Sequence, residues 1–560
     1  MVGGVRLMKD NRAGKGIRLG AGLFVAAMVT ASVIAVFFLG WRVVGLPFAP
    51  FDIFDWTTRV LPGRVISLGI GIMVAAIRGL HLGPTAETAK MAEQAMGVIG
   101  FFVTGLVVGV ILFGVIRAFR GRYADGLGLG FGMAVGVPVA LISHHAGQTA
   151  TTPPIINALW IVAVFLIWGL VLGRSFRRLI KATGTAIFSV QEGSEGAASV
   201  EVQRIDRRRF LVQLGGATTA ITVVGTVVGE LAEANRRKMM SAVGATGRWS
   251  ATHPLPDADA AVKPVPGTRP EFTPLERHYR IDINTIPPAV NEGQWRLNIT
   301  GLVEKPLAFT LDELRRYDPL HQFVTLSCIS NPVGGDLIST TRWTGVSLQH
   351  LLPALRLKPS GSHLKIHAAD GFFEVVPIEA IKADERLMLA YAWDGVPLTR
   401  EHGFPLRIYI PDVYGMKQPK WITAIEVTDH WEPGYWVKRG WDKVARKKST
   451  SVIDVVAMDM TIISGDQGKL IPVGGIAHAG ARGISKVELQ VDEGPWQPAM
   501  LRTPLSALTW VIWRYDWPFQ PGKHTFTVRC YDGQGAPQIV AEAPPEPSGA
   551  TGLYSKTQMF

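Results

Sequence analysis

Residues 155–173 read IINALWIVAVFLIWGLVLG, nineteen positions without a charge. A helix needs about 20 apolar residues to cross the hydrocarbon of a bilayer, and this stretch has that length. Comparable runs lie at 19–41, 97–116, 126–142 and 211–229. Gly is frequent inside them, which a membrane helix tolerates because lipid forces the backbone to bond to itself. A soluble core would have to explain five such runs within the first 230 residues, and from Leu231 onward nothing comparable follows. The chain divides into a membrane half and a soluble half.

The net charge of +12 over 560 residues would suit a nucleic-acid binder, but the basic residues lie elsewhere. Arg6, Lys9, Arg12, Lys15 and Arg18 precede the first run. Arg117, Arg120 and Arg122 follow the second, Arg174, Arg177, Arg178 and Lys181 follow the fourth, and Arg204, Arg207, Arg208 and Arg209 precede the last. Lys and Arg gather on the cytoplasmic side of membrane helices, and these sixteen residues account for the surplus without nucleic acid. Residues 65–80 form a shorter apolar run carrying Arg78, after an aromatic, Pro-containing stretch. If that run crossed, the Arg117–Arg122 loop would fall outside, against the charge rule. The sequence therefore predicts a re-entrant or interfacial segment there and five crossings in an anchor over 1–230. Six crossings is the alternative, since short tilted helices occur.

The last run opens Asp206-Arg207-Arg208-Arg209-Phe210-Leu211. This resembles a twin-arginine export signal set internally, with Asp206 where Ser or Thr is usual. Ordinary positive-inside flanking is the plainer alternative. Ala232-Glu233-Ala234 fits a small-x-small cleavage pattern. Residues 231–275 are Pro-rich and predict a linker.

The remainder reads as two soluble domains. Over 276–445 strand-like alternation at Trp295, Leu297 and Ile299 mixes with a helix start at Thr310, where Glu313 completes a capping box, and another at Ser347. Over 446–545 the pattern is all-β: Val487, Leu489 and Val491 alternate, as do Phe526, Val528 and Cys530. A β-sandwich fits, with Cys530 a small core residue and 546–560 a tail.

The chemistry falls in 276–445. Its centre is Leu326-Ser-Cys328-Ile-Ser-Asn331-Pro-Val-Gly334-Gly335-Asp336. Alone, a Cys in such a turn is a buried thiol, a soft-metal thiolate or a nucleophile. A Cys-His protease would draw its base from His350, His363, His367 or His402, yet no protease signature surrounds Cys328. Downstream lie Asp370-Gly371, His402-Gly403-Phe404-Pro405-Leu406-Arg407 and Tyr414-Gly415-Met416-Lys417-Gln418-Pro419-Lys420-Trp421. Arg407, Lys417 and Lys420 beside Gly-containing turns suit an anionic, phosphate-bearing ligand.

In combination these motifs resemble the sulfite-oxidase-type molybdopterin oxidoreductases, including exported methionine-sulfoxide reductase subunits, over roughly 276–545. The resemblance implies an α+β molybdopterin-binding domain and an immunoglobulin-like β-sandwich, which mediates dimers in some members, so that with the apolar runs the expected fold is an α-helical membrane bundle followed by these two domains. It implies that Cys328 is the thiolate on molybdenum and that Tyr279, Arg280, Asp370, His402, Arg407, Gln418 and Lys420 hold the molybdopterin and its phosphate. Asp282 and Asn331 lie beside matched positions. Such a centre transfers an oxygen atom with two electrons.

Sulfite oxidases of animals and plants carry basic residues soon after the ligand cysteine, where this chain has Pro332 and Val333. The expected substrate is therefore an S-oxide or related small oxide, with sulfite the alternative. No Cys-x-x-Cys-His marks a c-type haem. Electrons would come from a quinone-linked carrier or cytochrome. A haem b in the anchor could draw on His81, His144 and His145, near the ends of membrane runs, but interfacial histidines exposed to water are the commoner explanation. The expected place of the catalytic domain is outside the cytoplasm, on a multi-pass anchor. Two other classes fit parts of the pattern: a non-catalytic cofactor-binding protein, and a transporter with the soluble domain as sensor, against which the spans, Arg78 excepted, lack the buried carboxylates or paired charges that mark an ion pathway.

Overall fold

The computed structural model describes residues 19–184 apart from Gln148, parts of 212–231, and 255–560 apart from 257, 461 and 465–467. The Arg207-Arg208 pair, the small-x-small segment and the first part of the linker lie outside the described residues, and the last apolar run lies only partly within them, as a short helix over Thr218–Val228.

Among the described residues, four helices are long and apolar enough to cross a membrane. They are α1 (Leu19–Val44), α4 (Thr85–Ala118), α5 (Ala124–Ala146) and α6 (Pro154–Gly184); α2 (Ala49–Val60) and α3 (Gly63–Gly79) stand between the first two. The α2–α3 pair bends by 119° at its break, the geometry of a broken span or a re-entrant loop. The sequence leaves α2 unassigned because its run is interrupted by Asp52, Asp55 and Arg59. Its carboxylates are buried and hydrogen-bonded: Ser143 and Thr149 donate to Asp52, and the Thr285 amide donates to Asp55 Oδ1 at 2.9 Å. Glycine sets how α5 and α6 meet. A Cβ on Gly128, Gly132, Gly169 or Gly173 would strike the facing backbone, so only glycine permits the approach.

The chain forms two compact units. The first holds residues 1–60, 92–241 and 284–289; the second holds 61–91, 242–283 and 290–560. Residues 61–91, which the sequence places with the anchor, thus cluster with the soluble half: Gly63 lies so close to Arg439 that a Cβ would come within 2.7 Å of its Cα. Outward on α3, Val65, Leu68 and Ile72 are exposed.

The second unit contains the α+β region and the sandwich. One sheet runs β2-β1-β10-β5-β6, from β1 (Leu297–Gly301), β2 (Leu307–Phe309), β5 (His363–Ala368), β6 (Phe373–Pro377) and β10 (Ile422–Thr428), with β1 parallel to β10. The other runs β3-β4-β7-β8, from β3 (Leu320–Ser327), β4 (Ile338–Ser347), β7 (Met388–Trp393) and β8 (Val396–Pro397), with β9 (Arg407–Tyr409) also on β7. Leu297, Ile299, Leu364, Ile366, Leu389, Ile408 and Ile425 pack as one core drawn from both sheets. The capping box at Thr310 and Glu313 forms as expected. At Ser347 a helix begins, but its hydroxyl donates to the Glu385 carbonyl and does not cap the helix.

The sandwich has two sheets. One is β11-β13-β17-β16, with β12 on β13, from β11 (Thr450–Val456), β12 (Ile462–Ser464), β13 (Gly468–His478), β16 (Met500–Leu501) and β17 (Val511–Pro518). Its partner is β15-β14-β18-β19, from β14 (Ile484–Val491), β15 (Gln497–Pro498), β18 (Lys523–Asp532) and β19 (Tyr554–Met559). Val487, Leu489, Phe526, Val528 and Cys530 face Ile453, Val473 and Trp513 across the interior. The period-two alternation read from sequence is what buries them.

Candidate active site

The Cys328 loop follows β3 and returns into β4. Its ends are tied by Cys328 N donating to Leu337 O at 3.0 Å, and by Asn331 Oδ1 accepting from Leu337 N at 3.0 Å. Asn331 therefore holds the loop closed. Gly335 is required here, because a Cβ would collide with that same Asn331 oxygen. Gly334 takes a φ of +79° and lies against the Tyr554 ring, which also excludes a larger residue. Cys328 packs with Leu337, Tyr279, Ile281 and Ala86, and its sulfur lies 3.0 Å from Ser330 Oγ. Burial pushes the thiol's pKa up, against the opposing Ser330 hydrogen bond.

Beside the loop, charged groups converge from separate elements. Asp282 is buried to 1% of its side-chain exposure and faces three cations: Arg280 Nε at 2.8 Å, Lys90 Nζ at 3.2 Å and Lys420 Nζ at 3.3 Å. Burial alone would raise its pKa, but Arg280, Lys90 and Lys420 hold it well below the usual carboxylate range. Arg407, at the start of β9, stacks over Trp343 at 4.4 Å and donates to the His402 carbonyl at 3.1 Å. Its Nε is buried without a partner among the described residues. Burial lowers Arg407 to about 10 and Lys420 to about 8, so both are cations at neutral pH.

The aromatic wall of the site keeps its titratable members neutral. His278 stacks on Tyr279 with ring centroids 5.6 Å apart, and His402 lies 4.5 Å from Trp393. Burial, then Arg407, lowers His278 to about 3; burial and the neighbouring cations hold His402 well below the ordinary histidine value. Burial and the Cys328 sulfur push the Tyr279 phenol well above its usual value, so it stays a protonated donor. Asp370 accepts from the Phe372 amide at 3.0 Å and fixes the β5–β6 turn, where Gly371 has a φ of +80°.

The structure thus brings Cys328, Tyr279, Arg280, Asp282, His402, Arg407 and Lys420 into one neighbourhood, with Asp370 close enough to Lys420 to affect its charge. Gln418 is buried but donates to the Ile410 and Val413 carbonyls, with Oε1 unpartnered. Lys417, grouped with the other cations by sequence, pairs instead with buried Glu374 at 2.7 Å. Lys90, His278 and the Trp343–Trp393 pair are members the sequence did not show. His144 and His145 are exposed neighbours in the last turn of α5.

The family described as "Oxidoreductase molybdopterin binding domain" matches residues 284–436. An uncharacterised oxidoreductase, YuiH of Bacillus subtilis, is 30% identical over 148 residues, covering 26% of this chain and 72% of that protein. The chain belongs to the sulfite-oxidase-type molybdopterin oxidoreductases. Mitochondrial sulfite oxidase of Mus musculus is 27% identical over 276 residues, 41% of this chain and 50% of the mouse protein. Nitrate reductase [NADH] 2 of Phaseolus vulgaris is 25% identical over 309 residues, 45% of this chain and 33% of the plant protein. The chain thus spans half or less of these two relatives. Among solved structures, the sulfane dehydrogenase SoxCD from Paracoccus pantotrophus has a TM-score of 0.45 at 20% identity, over 53% of this chain and 86% of that one.

The residues present fit the group this molybdopterin oxidoreductase family binds. A soft sulfur, buried cations and unpartnered polar atoms at Arg407 and Gln418 lie on the elements that shape the site. The unpartnered Arg407 Nε suits an anionic oxygen and the unpartnered Gln418 Oε1 suits a hydrogen-bond donor.

Proposed function

We propose that this oxidoreductase is anchored in the cell membrane with its catalytic domain outside the cytoplasm, and that it transfers an oxygen atom from an S-oxide or related small oxide. The observation that carries the substrate class is the loop after Cys328, where Pro332 and Val333 offer no charge to an oxyanion. The cations nearby are engaged around Asp282 and Trp343, on the side that suits the phosphate of the cofactor.

When bound, molybdenum–molybdopterin supplies oxygen-atom transfer coupled to two electrons. Cys328 would give its thiolate to the metal, which requires the buried thiol to lose its proton on loading. Arg280, Lys420 and Arg407 would hold the phosphate-bearing end, with Asp370, His402 and Gln418 lining the same cofactor. Tyr279 keeps its proton and can donate to an oxygen beside Cys328. Neutral His402 and His278 add hydrogen-bonding capacity without adding charge. Ala86 and Leu337 exclude water from the sulfur.

Sulfite oxidation is the second reading, supported by the names of the animal relatives. Electrons would pass to or from a quinone-linked carrier or cytochrome in the membrane, and the C-terminal sandwich, read as immunoglobulin-like, would form a homodimer. The internal twin-arginine-like segment fits export after cofactor loading. The deciding experiment is an assay of the purified, molybdenum-containing full chain with sulfite and with several S-oxides and N-oxides. Reduction of an S-oxide is expected; rapid sulfite turnover with no oxide reduced would overturn the assignment.

A further inference from the structure

A cavity lies between the Cys328 loop and the sandwich, both of which belong to the second unit. Ser327, Asn331 and Val333 line it from the loop, Lys447 and His478 from the sandwich side, with Tyr414 beside them. Arg280, Arg407 and Lys420 do not line it, so it is separate from the cations that suit the cofactor. Among the described residues, no Asp or Glu lines it either.

The polar groups on its walls are donors short of acceptors. Lys447 is 4% exposed, and its ammonium donates to the Lys448 carbonyl at 2.6 Å and the Thr450 hydroxyl at 3.1 Å. An ammonium has three N–H groups, so one is left over among the described residues. No carboxylate there lies within ion-pair distance of it. Asp412, whose charge favours the ammonium from farther off, is engaged by Arg446 at 2.7 Å and by Arg482. Burial lowers the Lys447 pKa to about 7, and a buried charge without a close counter-charge is costly. His478 is 3% exposed; the Leu508 backbone comes near, but neither ring nitrogen has a hydrogen-bond partner. Burial, then Lys447 and Arg482, keep that ring neutral. The Tyr414 hydroxyl accepts from the Lys448 amide at 3.2 Å, and its own proton has no acceptor among the described residues.

Water could fill such a space and take the same donors, but it would bring no charge to oppose the ammonium. We propose that this cavity binds one small anion, a halide or a small oxyanion, through Lys447, with the neutral His478 ring and the Tyr414 hydroxyl beside it. The loop wall is neutral, so the cation comes from the sandwich side. Because residues 331–335 form that wall, the anion ties the sandwich to the loop that carries Cys328. It is either free in solution or the acidic group of a substrate. The site itself does not rest on the molybdopterin reading.

The test is thermal melting of the purified, solubilised full chain in sodium chloride or sodium sulfate, against the bulkier gluconate at equal ionic strength. Chloride or sulfate should raise the melting temperature by about 2–4 °C at roughly ten times the dissociation constant. Lys447→Met, uncharged and of similar length, should lose the shift, and Lys523→Met, at an exposed lysine, should keep it. If Lys447→Met does not fold, Tyr414→Phe carries the comparison and should at least halve the shift; a full shift there would overturn the proposal. Chloride and sulfate no better than gluconate on the unmodified chain would overturn it and leave water as the occupant. A shift that survives in Lys447→Met would overturn it as well, since the anion would then sit elsewhere. Steady-state assays separate the two sources. Chloride that raises KM for an S-oxide bearing a carboxylate, but not for dimethyl sulfoxide, supports a substrate's acidic group in the cavity; KM unchanged for both supports a free anion. If neither oxide is reduced, the proposed reaction fails while the melting result still decides the site.

Discussion

Cys328 and Cys530 are both buried thiols, yet their surroundings differ in kind. Cys530 sits in the sandwich core with its sulfur 3.3 Å from Gln538 Oε1, and burial pushes its pKa up to about 12. Cys328 ends a glycine-bound loop beside a cation cluster. Cys328→Ser replaces a soft sulfur by a hard oxygen of similar size and should abolish activity and molybdenum binding, with a loss beyond about a hundredfold. Cys530→Ser should cost on the order of 1 kcal/mol of stability and leave metal content unchanged. Metal analysis and thermal melting of both variants check this; equal effects on metal content would contradict it. Lys420 makes a second prediction. Its ammonium is lowered to about 8 by burial, with Asp282 opposing. As pH rises through about 8 the cation is lost, so phosphate affinity of the pterin-free chain should fall between pH 7 and 10. The stability contribution has the opposite sign. The unfolded lysine still binds its proton up to about 10.5, so across the window from about 8 to 10.5 the unfolded chain holds more protons and this group's term rises with pH. Lys420→Arg should flatten the phosphate profile, read by equilibrium dialysis.

At the scale of elements, loops shape the site more than strands do. The Cys328 loop depends on one side-chain amide, Asn331, bridging to Leu337 N, and on glycine at 335 leaving space for it. Gly335→Ala should destabilise the second unit by about 1–3 kcal/mol, the usual cost of forcing an atom into packed space, and should lower molybdenum content with it. Thermal melting and metal analysis measure both; a variant as stable as the unmodified chain would show that the loop can yield. What the sequence made legible follows the same division. The Cys328 loop, the capping box at Thr310 and the alternation of Val487, Leu489, Phe526 and Val528 are local patterns, and each could be read directly. Lys417 could not, because its partner Glu374 lies on another strand and nothing local distinguishes it from Lys420. Lys90 was hidden for a similar reason: the polar opening of α4 reads as a loop before an apolar run, and its meeting with Asp282 is purely tertiary. The helix α2 is not legible because its buried carboxylates break the apolar pattern, and the hydroxyls and amide that donate to them come from distant segments.

For the whole molecule, the charge distribution assigns each segment a side of the membrane. The Arg and Lys clusters argue that the loop at Arg117–Arg122 lies in the cytoplasm and that residues near 82, on the other end of α4, lie outside. The bent α2–α3 pair supports this if α3 lies along the surface: its outward face carries Val65, Leu68 and Ile72, and a surface helix buries such a face in the headgroup region. Thr85 is unsuitable for a tag, since it is buried and its amide is bonded to Asp336. Leu82, exposed in the turn just before it, is the better probe. Both native cysteines are buried, so background thiol labelling should be low. A membrane-impermeant maleimide should therefore label Leu82→Cys in intact cells, and label Arg120→Cys only after the cells are opened. If Leu82→Cys also needs opened cells, then α2 and α3 together cross the bilayer, the parity of the anchor changes, and the catalytic domain would face the cytoplasm unless the last apolar run fails to cross.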